Sequence, residues 1–583
     1  MRLRLRFVSG LFVVLLTGCG STSSGGTSPT HPGPPASNDA GGRGGTDGGG
    51  GGAGGATNAD SGAAGTGADA GTACGATVTA APGLVVTDRG PVQGTQTNGT
   101  WAFEGIPYAA PPIGALRWKA PAPHACWSTP LDASNFGAIC LQISTTDATQ
   151  VLGDEDCLTL NVWVPANATP ASKLPVLFFI HGGGNVQGSS ADKTAGVYIY
   201  GGDALAAHDN AIVVTINYRL GAMGWLAHPA FAAENAHQSA GNYGTLDQIA
   251  ALEWVQSNIA AFGGDPSHVL VFGQSAGAVD VCSLVVSPLA KGLFSAALME
   301  SGGCTAIPKL TATAFAGTFA TKVGCDAATD VAACLRNVSA HDVTAALPEP
   351  ASITGAKQGD YQPSVDGWVF PDSPANILKA GTHNHVPLVI GVNSDETARE
   401  IPASMTEAEF DASVLTYAGG IQTIADKVTA MYPASDYGNS YTKAFTAVTT
   451  DAKFICTARY DARLAAMGQA GTPTYRYFYT HALDNAQAAV KAYGAWHGIE
   501  LTFVFRRTNI AGYQPSAGEL ALSDAIDADW LSLAATGNPT ATGLTWPDYD
   551  ASTDPFVQLD DTISTGDGVR TKYCDFWDSL LGR

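Results

Sequence analysis

Basic residues are scarce in this chain: 29 Lys and Arg stand against 51 Asp and Glu, a formal charge of −22 at pH 7. Phosphate backbones are held by clustered cations, so nucleic acid is excluded as a partner. An acidic surface supports solubility and says little about a substrate. Metal-site spacing is also lacking, because the 11 Cys include no C-x-x-C pair and the 12 His show no clustered spacing. Neither a metal nor an organic cofactor is expected. The apolar stretch of residues 7–16 is too short to span a bilayer as a helix.

That stretch has a different use. Arg2, Arg4 and Arg6 precede it, and Leu16-Thr17-Gly18-Cys19 follows, a sequence that resembles the lipobox of bacterial lipoproteins. The resemblance implies a leader at 1–18 and a mature chain that begins at a lipidated Cys19. Residues 20–73 contain 19 Gly and no Val, Ile, Leu, Met, Phe, Tyr or Trp. Nothing there offsets ordering entropy, so 19–73 is expected to be a disordered tether behind the lipid. The expected location is outside the cytoplasm, anchored to the outer membrane or cell surface. A single catalytic domain is expected over 74–583, in a chain that is 45% hydrophobic and 14% charged overall.

Within 74–583, apolar runs recur at 174–180, 211–218, 269–272, 296–299 and 386–390, each leading into a Gly-containing turn. Runs this continuous suit strands buried on both faces of a mostly parallel sheet. Helix-like stretches such as 242–261 lie between them, so the fold class is α/β. The run at 269–272 enters Gly273-Gln274-Ser275-Ala276-Gly277, and the helix-compatible stretch 278–286 follows. A Ser on a sharp strand-to-helix turn is pushed out at the carboxyl end of the sheet, with Gly on either side to allow close packing. Ser275 is therefore the candidate nucleophile. The run at 174–180 ends in His181-Gly182-Gly183-Gly184, where successive Gly let backbone N–H groups turn toward an oxyanion. A serine nucleophile needs a base and an acid that orients it, in the chain order Ser, then Asp or Glu, then His. The sequence leaves Asp372, Asp395 and Glu396 as acids, and His481 and His497 as bases.

Several stretches resemble type-B carboxylesterases. They are 262–266 with 273–277, Glu155-Asp156-Cys157-Leu158-Thr159-Leu160-Asn161-Val162, and Phe103-Glu104-Gly105-Ile106-Pro107-Tyr108-Ala109. The similarity covers essentially all of 78–583, and it implies the α/β-hydrolase fold. It also implies Glu396 as the triad acid and His497 as the base, with Asp395 and His481 left as solvated loop groups. The oxyanion donors would be the N–H groups of Gly183, Gly184 and Ala276, and Ser301 would stand behind the triad acid. The implied disulfides are Cys140–Cys157, Cys325–Cys334 and Cys456–Cys574. Cys74, Cys126, Cys282 and Cys304 are left over; Cys74–Cys126 with Cys282–Cys304 is one pairing among those that stay open. The family pattern often has Glu before the nucleophile, where this chain has Gln274. The loop 141–156 also carries no Trp, Tyr or Phe. Both departures disfavour cationic esters, and Trp101 is one distant ring that could still reach the site. The expected activity is hydrolysis of neutral short-chain or aryl esters without a cofactor. The rival readings are a noncatalytic adhesion relative and a narrow-specificity enzyme such as a cholinesterase.

Overall fold

The computed structural model describes residues 74, 79–349, 351–355, 359–540 and 543–583. The leader, Cys19 and the Gly-rich stretch 20–73 lie outside the described residues. An 11-stranded sheet organises the described part. In chain order its strands are β1 (Thr95–Thr97), β2 (Thr100–Pro107), β3 (Thr159–Pro165), β4 (Leu174–Ile180), β5 (Ile212–Ile216), β6 (Gly264–Gln274), β7 (Ala296–Glu300), β8 (Leu388–Asn393), β9 (Thr474–Tyr479), β10 (Pro555–Leu559) and β11 (Ser564–Asp567). Their order across the sheet is β11-β10-β9-β8-β7-β6-β4-β5-β3-β2-β1. Every pairing from β5 through β10 is parallel, and both margins are antiparallel.

The period of two residues along a strand splits the core into two layers. In β4, Val176, Phe178 and Ile180 join one apolar cluster, whereas Leu177 and Phe179 join the other. Helices α1 (Tyr243–Asn258) and α2 (Ala276–Val286) cover the first face with Leu252, Val255, Val281 and Leu284. Helix α3 (Ala517–Thr536) covers the second with Leu522, Ile526, Trp530 and Leu533. A reciprocal capping box between Ser516 and Glu519 starts α3, and Gly537 at φ 77° stops it. All five runs expected to be strands are strands. The other six strands, β1, β2, β3, β9, β10 and β11, were not singled out; β2 and β11 mix polar and apolar residues because they are half-covered. The helix expected over 242–261 ends at Asn258 and tightens into a 3₁₀ turn, Ile259–Phe262.

The connection order positions the site. The chain passes from β4 to its neighbour β5, then returns to lay β6 on the opposite flank of β4. Such a reversal opens a crevice beyond the carboxyl ends of the two strands. Ile180 ends β4 and Gln274 ends β6, so the glycine loop and Ser275 are delivered to the same crevice.

Five disulfides staple the described residues: Cys74–Cys126, Cys140–Cys157, Cys282–Cys304, Cys325–Cys334 and Cys456–Cys574. The first and third settle the four cysteines whose pairing the sequence left open. The last ties the C-terminal helix Thr571–Leu581 to the helix Cys456–Gly468.

The packing of α2 against β4 is testable at Gly277, where an added Cβ would lie 2.1 Å from the Ile180 carbonyl oxygen. Gly277→Ala is expected to lower stability by about 1–3 kcal/mol or more, as overpacking does. Gly317, in the helix Lys309–Lys322, has nothing within 4 Å of an added Cβ. Gly317→Ala should therefore raise stability by up to about 1 kcal/mol. Thermal melts of the two variants, followed by circular dichroism, should move in opposite directions; a Gly277→Ala melt equal to wild type would contradict the described packing.

Candidate active site

Ser275 sits between β6 and α2 with φ 61° and ψ −122°, a region that a non-Gly residue seldom occupies. Such a conformation costs on the order of 1–3 kcal/mol and persists only where surroundings impose it. Here they do. The Ser275 N–H donates to the Glu300 carbonyl (2.8 Å), continuing the β6–β7 ladder beyond the strand end. A Cβ on Gly273 would lie 2.6 Å from the Gly277 oxygen, and one on Gly302 would lie 2.4 Å from the Ser275 oxygen. These glycines let three backbone segments close around the serine.

The glycine loop lies against the same turn. A Cβ on Gly182 would come within 3.0 Å of Ser275 Cβ. Gly183 and Gly184 adopt φ 111° and 66°, and a Cβ on Gly183 would lie 2.1 Å from the Gln187 oxygen. Neither amide of this glycine pair has an acceptor among the described residues. Ala276 is the first residue of α2, so its N–H has no intrahelical partner either. From beneath, the Tyr218 hydroxyl donates to the His181 carbonyl (2.8 Å), and the rings of Tyr218 and His181 stack at 4.6 Å. Burial pushes the His181 imidazole down to about 4, so it is a neutral support. Asp280 accepts from Asn185 (3.2 Å) and Gln248 (2.8 Å), which fastens the far end of the loop.

Glu396 follows β8 and is fully buried. One carboxylate oxygen accepts the Asn393 N–H (2.8 Å), and the other lies 2.5 Å from His497 Nδ1. The His497 N–H donates to the Glu396 carbonyl (3.0 Å), and the Phe454 ring packs on the imidazole at 5.1 Å. His497 Nε2 is 3.2 Å from the Gln274 amide nitrogen, so the residue before Ser275 holds the far edge of the ring. No hydrogen bond joins Ser275 Oγ to His497 in this state. Such contacts are commonly long in unliganded enzymes and tighten with substrate. Ser275, His497, Glu396, Gly183, Gly184 and Ala276 all line one cavity of about 1070 Å³.

The remaining candidates fall elsewhere. Asp372 is exposed and accepts from the Ser373 N–H and the Asn376 side-chain amide at a helix start capped by Ser373. Asp395 and His481 were expected to be solvated, and the structure corrects this. Asp395 is largely covered, accepting from Ser394 Oγ and the Ala495 N–H. His481 is buried among Glu519, Asp560 and Asp561 at 3.2–3.4 Å. Trp101 packs over Gly83 rather than in the cavity. Ser301, buried at φ 56°, donates its N–H to the Gly391 carbonyl (2.8 Å) and lines the cavity floor.

Two carboxyls behind the triad were not singled out from the sequence. Glu500 accepts from the Asn393 amide, and Glu300 accepts from Trp530 Nε1 (3.1 Å). Burial and the nearby Glu396 carboxylate push Glu500 up to about 7. Burial, with Glu500 beside it, raises Glu300 well above the usual carboxylate range. The signal was present in both stretches: each is a lone acid in an apolar run, Leu298-Met299-Glu300 and Ile499-Glu500-Leu501.

Fold and site together define an enzyme of the α/β-hydrolase class: a serine at a switch-point turn, a glycine loop beside it and a carboxylate-held histidine above it. Residues 81–577 match the Carboxylesterase family profile. The chain belongs to that family, and it is a carboxylic ester hydrolase. The para-nitrobenzyl esterase of Bacillus subtilis is 35% identical over 499 residues, covering 82% of this chain and 95% of that protein. The medium-chain fatty acyl-CoA hydrolase precursor of Anas platyrhynchos is 34% identical over 543 residues, covering 85% and 92%. Among solved structures, a thermophilic PNB esterase superposes with a TM-score of 0.72 at 32% identity, covering 85% of this chain and 100% of its own.

The charges around His497 set its titration. Burial alone would lower the imidazole, but Glu396, with smaller contributions from Glu500 and Glu400, carries it above its ordinary value of 6.5. The neutral ring acts as base, so kcat/KM is expected to rise with pH along a limb centred above 6.5. Glu500→Gln removes one raising charge and should move that limb to lower pH; a pH–rate profile in which the limb stays in place would refute the assignment.

Proposed function

We propose that Ser275, His497 and Glu396 hydrolyse carboxylic esters through an acyl-enzyme. The observation that carries this reading is the 2.5 Å contact between Glu396 and His497 Nδ1, above a serine held at φ 61°. His497 Nε2 takes the Ser275 proton as Oγ attacks the ester carbonyl. The tetrahedral oxyanion is stabilised by the N–H groups of Gly183, Gly184 and Ala276 at the N-terminus of α2, where the helix dipole favours negative charge. Collapse expels the alcohol, which takes its proton from His497. Water then repeats the cycle on the acyl carbonyl, giving the carboxylic acid and free Ser275. Glu396 holds the ring tautomer that leaves Nε2 free to accept.

The substrates this geometry favours carry no cation. The wall built by 140–157 presents Gln142, Ile143, Thr145 and Leu152 to the cavity and offers no aromatic face. The Trp496 ring is covered by the Arg399 guanidinium at 5.6 Å, and Gln274 places an amide where a carboxylate would attract a cation. Neutral short-chain and aryl esters fit this setting, and the para-nitrobenzyl esterase relative supports the same class.

Ser275→Ala is expected to cut kcat on an aryl ester by at least about 10³-fold, and His497→Ala and Glu396→Ala by comparable factors. His481→Ala should change kcat by far less, because its carboxylate partners lie outside the cavity. A large kinetic loss at His481 with His497 silent would overturn the assignment.

We also propose that the chain is exported and anchored through a lipid on Cys19, on the strength of the leader sequence and the apolar-free stretch behind it. Several acyl chains would hold it firmly, at about 0.8 kcal/mol per buried CH₂. Mass spectrometry of the purified mature protein should find Cys19 as the modified first residue; an unmodified N-terminus elsewhere would rule the anchor out.

A further inference from the structure

The cavity that holds the triad also exposes several ionic side chains, and nearly all of them are occupied. Glu396 is taken by His497. Glu400 accepts the Ile353 N–H and faces Lys453. Lys453 donates to the carbonyls of Ser352 (3.0 Å) and Gly355 (3.4 Å). Asp192 accepts from Ser189 Oγ (2.8 Å), and Lys193 lies over the Tyr198 ring at 4.0 Å. Arg583 reaches Thr457 Oγ1 (3.4 Å) and the Tyr460 ring.

Arg399 and Lys193 make only aromatic contacts, and of the two Arg399 adjoins the triad. It lines the cavity three residues after Glu396, and its guanidinium carbon lies 5.6 Å from the ring centroid of Trp496, the residue before His497. Among the described residues it forms no ion pair and donates no hydrogen bond. It is thus tied to the triad at both ends, and it lines the cavity without a hydrogen-bond acceptor among the described residues. A guanidinium presents a planar fork of donors that matches a carboxylate two atoms to two. Burial pushes Arg399 below its ordinary value, with Glu400 and Tyr493 as the nearby groups that oppose this. A half-buried cation of this kind gains from an incoming anion.

We propose that Arg399 is a specificity-determining residue that binds a carboxylate carried by the substrate remote from the scissile ester. The substrate class is then the half-ester of a dicarboxylic acid, or an ester of equivalent anionic character. This rests on the ester-hydrolase reading above and alters its substrate range: cations stay disfavoured, but an anionic ester is preferred over a neutral one. The cavity, at about 1070 Å³, has room for both functional groups of such a molecule at once.

The test compares ethyl half-esters of straight-chain dicarboxylic acids, from adipate to sebacate, with their neutral terminal amides at fixed ionic strength. In the wild-type protein, kcat/KM should favour the half-ester about tenfold at one preferred chain length. Arg399→Gln should bring that ratio to about one, mainly through KM, and Arg399→Lys should restore part of it. A wild-type ratio of one or less overturns the proposal. So does a ratio that survives Arg399→Gln, or an equal fall for both substrates, which would mark Arg399 as structural. Ser275→Ala run in parallel separates the two claims. If it abolishes turnover of both esters while the ratio test fails, only the role of Arg399 is lost.

Discussion

Everything at the site depends on how closely backbone can approach backbone at the ends of β4 and β6. Gly277 lies where any side chain would strike the Ile180 carbonyl, and Gly273 and Gly302 remove side chains on two other sides of the same turn. The reward is geometric. Ser275 is forced into a conformation it would not choose, its hydroxyl projects into the crevice, and the Gly182–Gly184 segment lies against it. The strain of about 1–3 kcal/mol is modest beside the burial of a core in which each apolar side chain such as Phe178 or Val271 contributes about 1.5–3 kcal/mol. A serine on a flexible loop could carry the same hydroxyl without holding it there.

A cluster of buried carboxyls sets the electrostatics behind the triad. Glu300, Glu396 and Glu500 lie near one another behind the triad, yet only Glu396 meets the imidazole. Burial raises both of the others, helped by Glu500 beside Glu300 and by Glu396 beside Glu500. On the cavity side, Arg399 places a guanidinium 5.6 Å from the Trp496 ring centroid. A cationic alcohol would therefore meet a guanidinium rather than an open aromatic face. Under the proposed reading, this adds a third reason against cationic esters to Gln274 and the ring-free loop 141–156.

The C-terminal part of the chain closes the cavity, although none of its residues does chemistry. Trp577, Leu580 and Leu581 form cavity wall, and the Cys456–Cys574 bridge holds their helix to the body. The helix Cys456–Gly468 begins just past Phe454, which packs on His497, so one disulfide links the outer wall to the base.

Much of this was legible in the linear sequence, and for a definite reason. Strands buried on both faces must be continuous apolar runs, a serine elbow must have Gly at fixed offsets, and an oxyanion loop must be rich in Gly; each demand is local and so leaves a local trace. The runs at 174–180 and 269–272, Gly273 to Gly277 and His181 to Gly184 are such traces. Choosing Glu396 over Asp395, or His497 over His481, depended on likeness to a family, because residues some 100 apart touch only after the sheet has formed. His481 shows the limit well: its sequence context gives no hint that three carboxylates converge on it from α3 and from beyond β10. The pairing of Cys74 with Cys126 and of Cys282 with Cys304, the two raised carboxyls and the unoccupied guanidinium of Arg399 are likewise products of tertiary structure. They depend on which groups burial brings together and which it leaves without a partner, and spacing along the chain records neither.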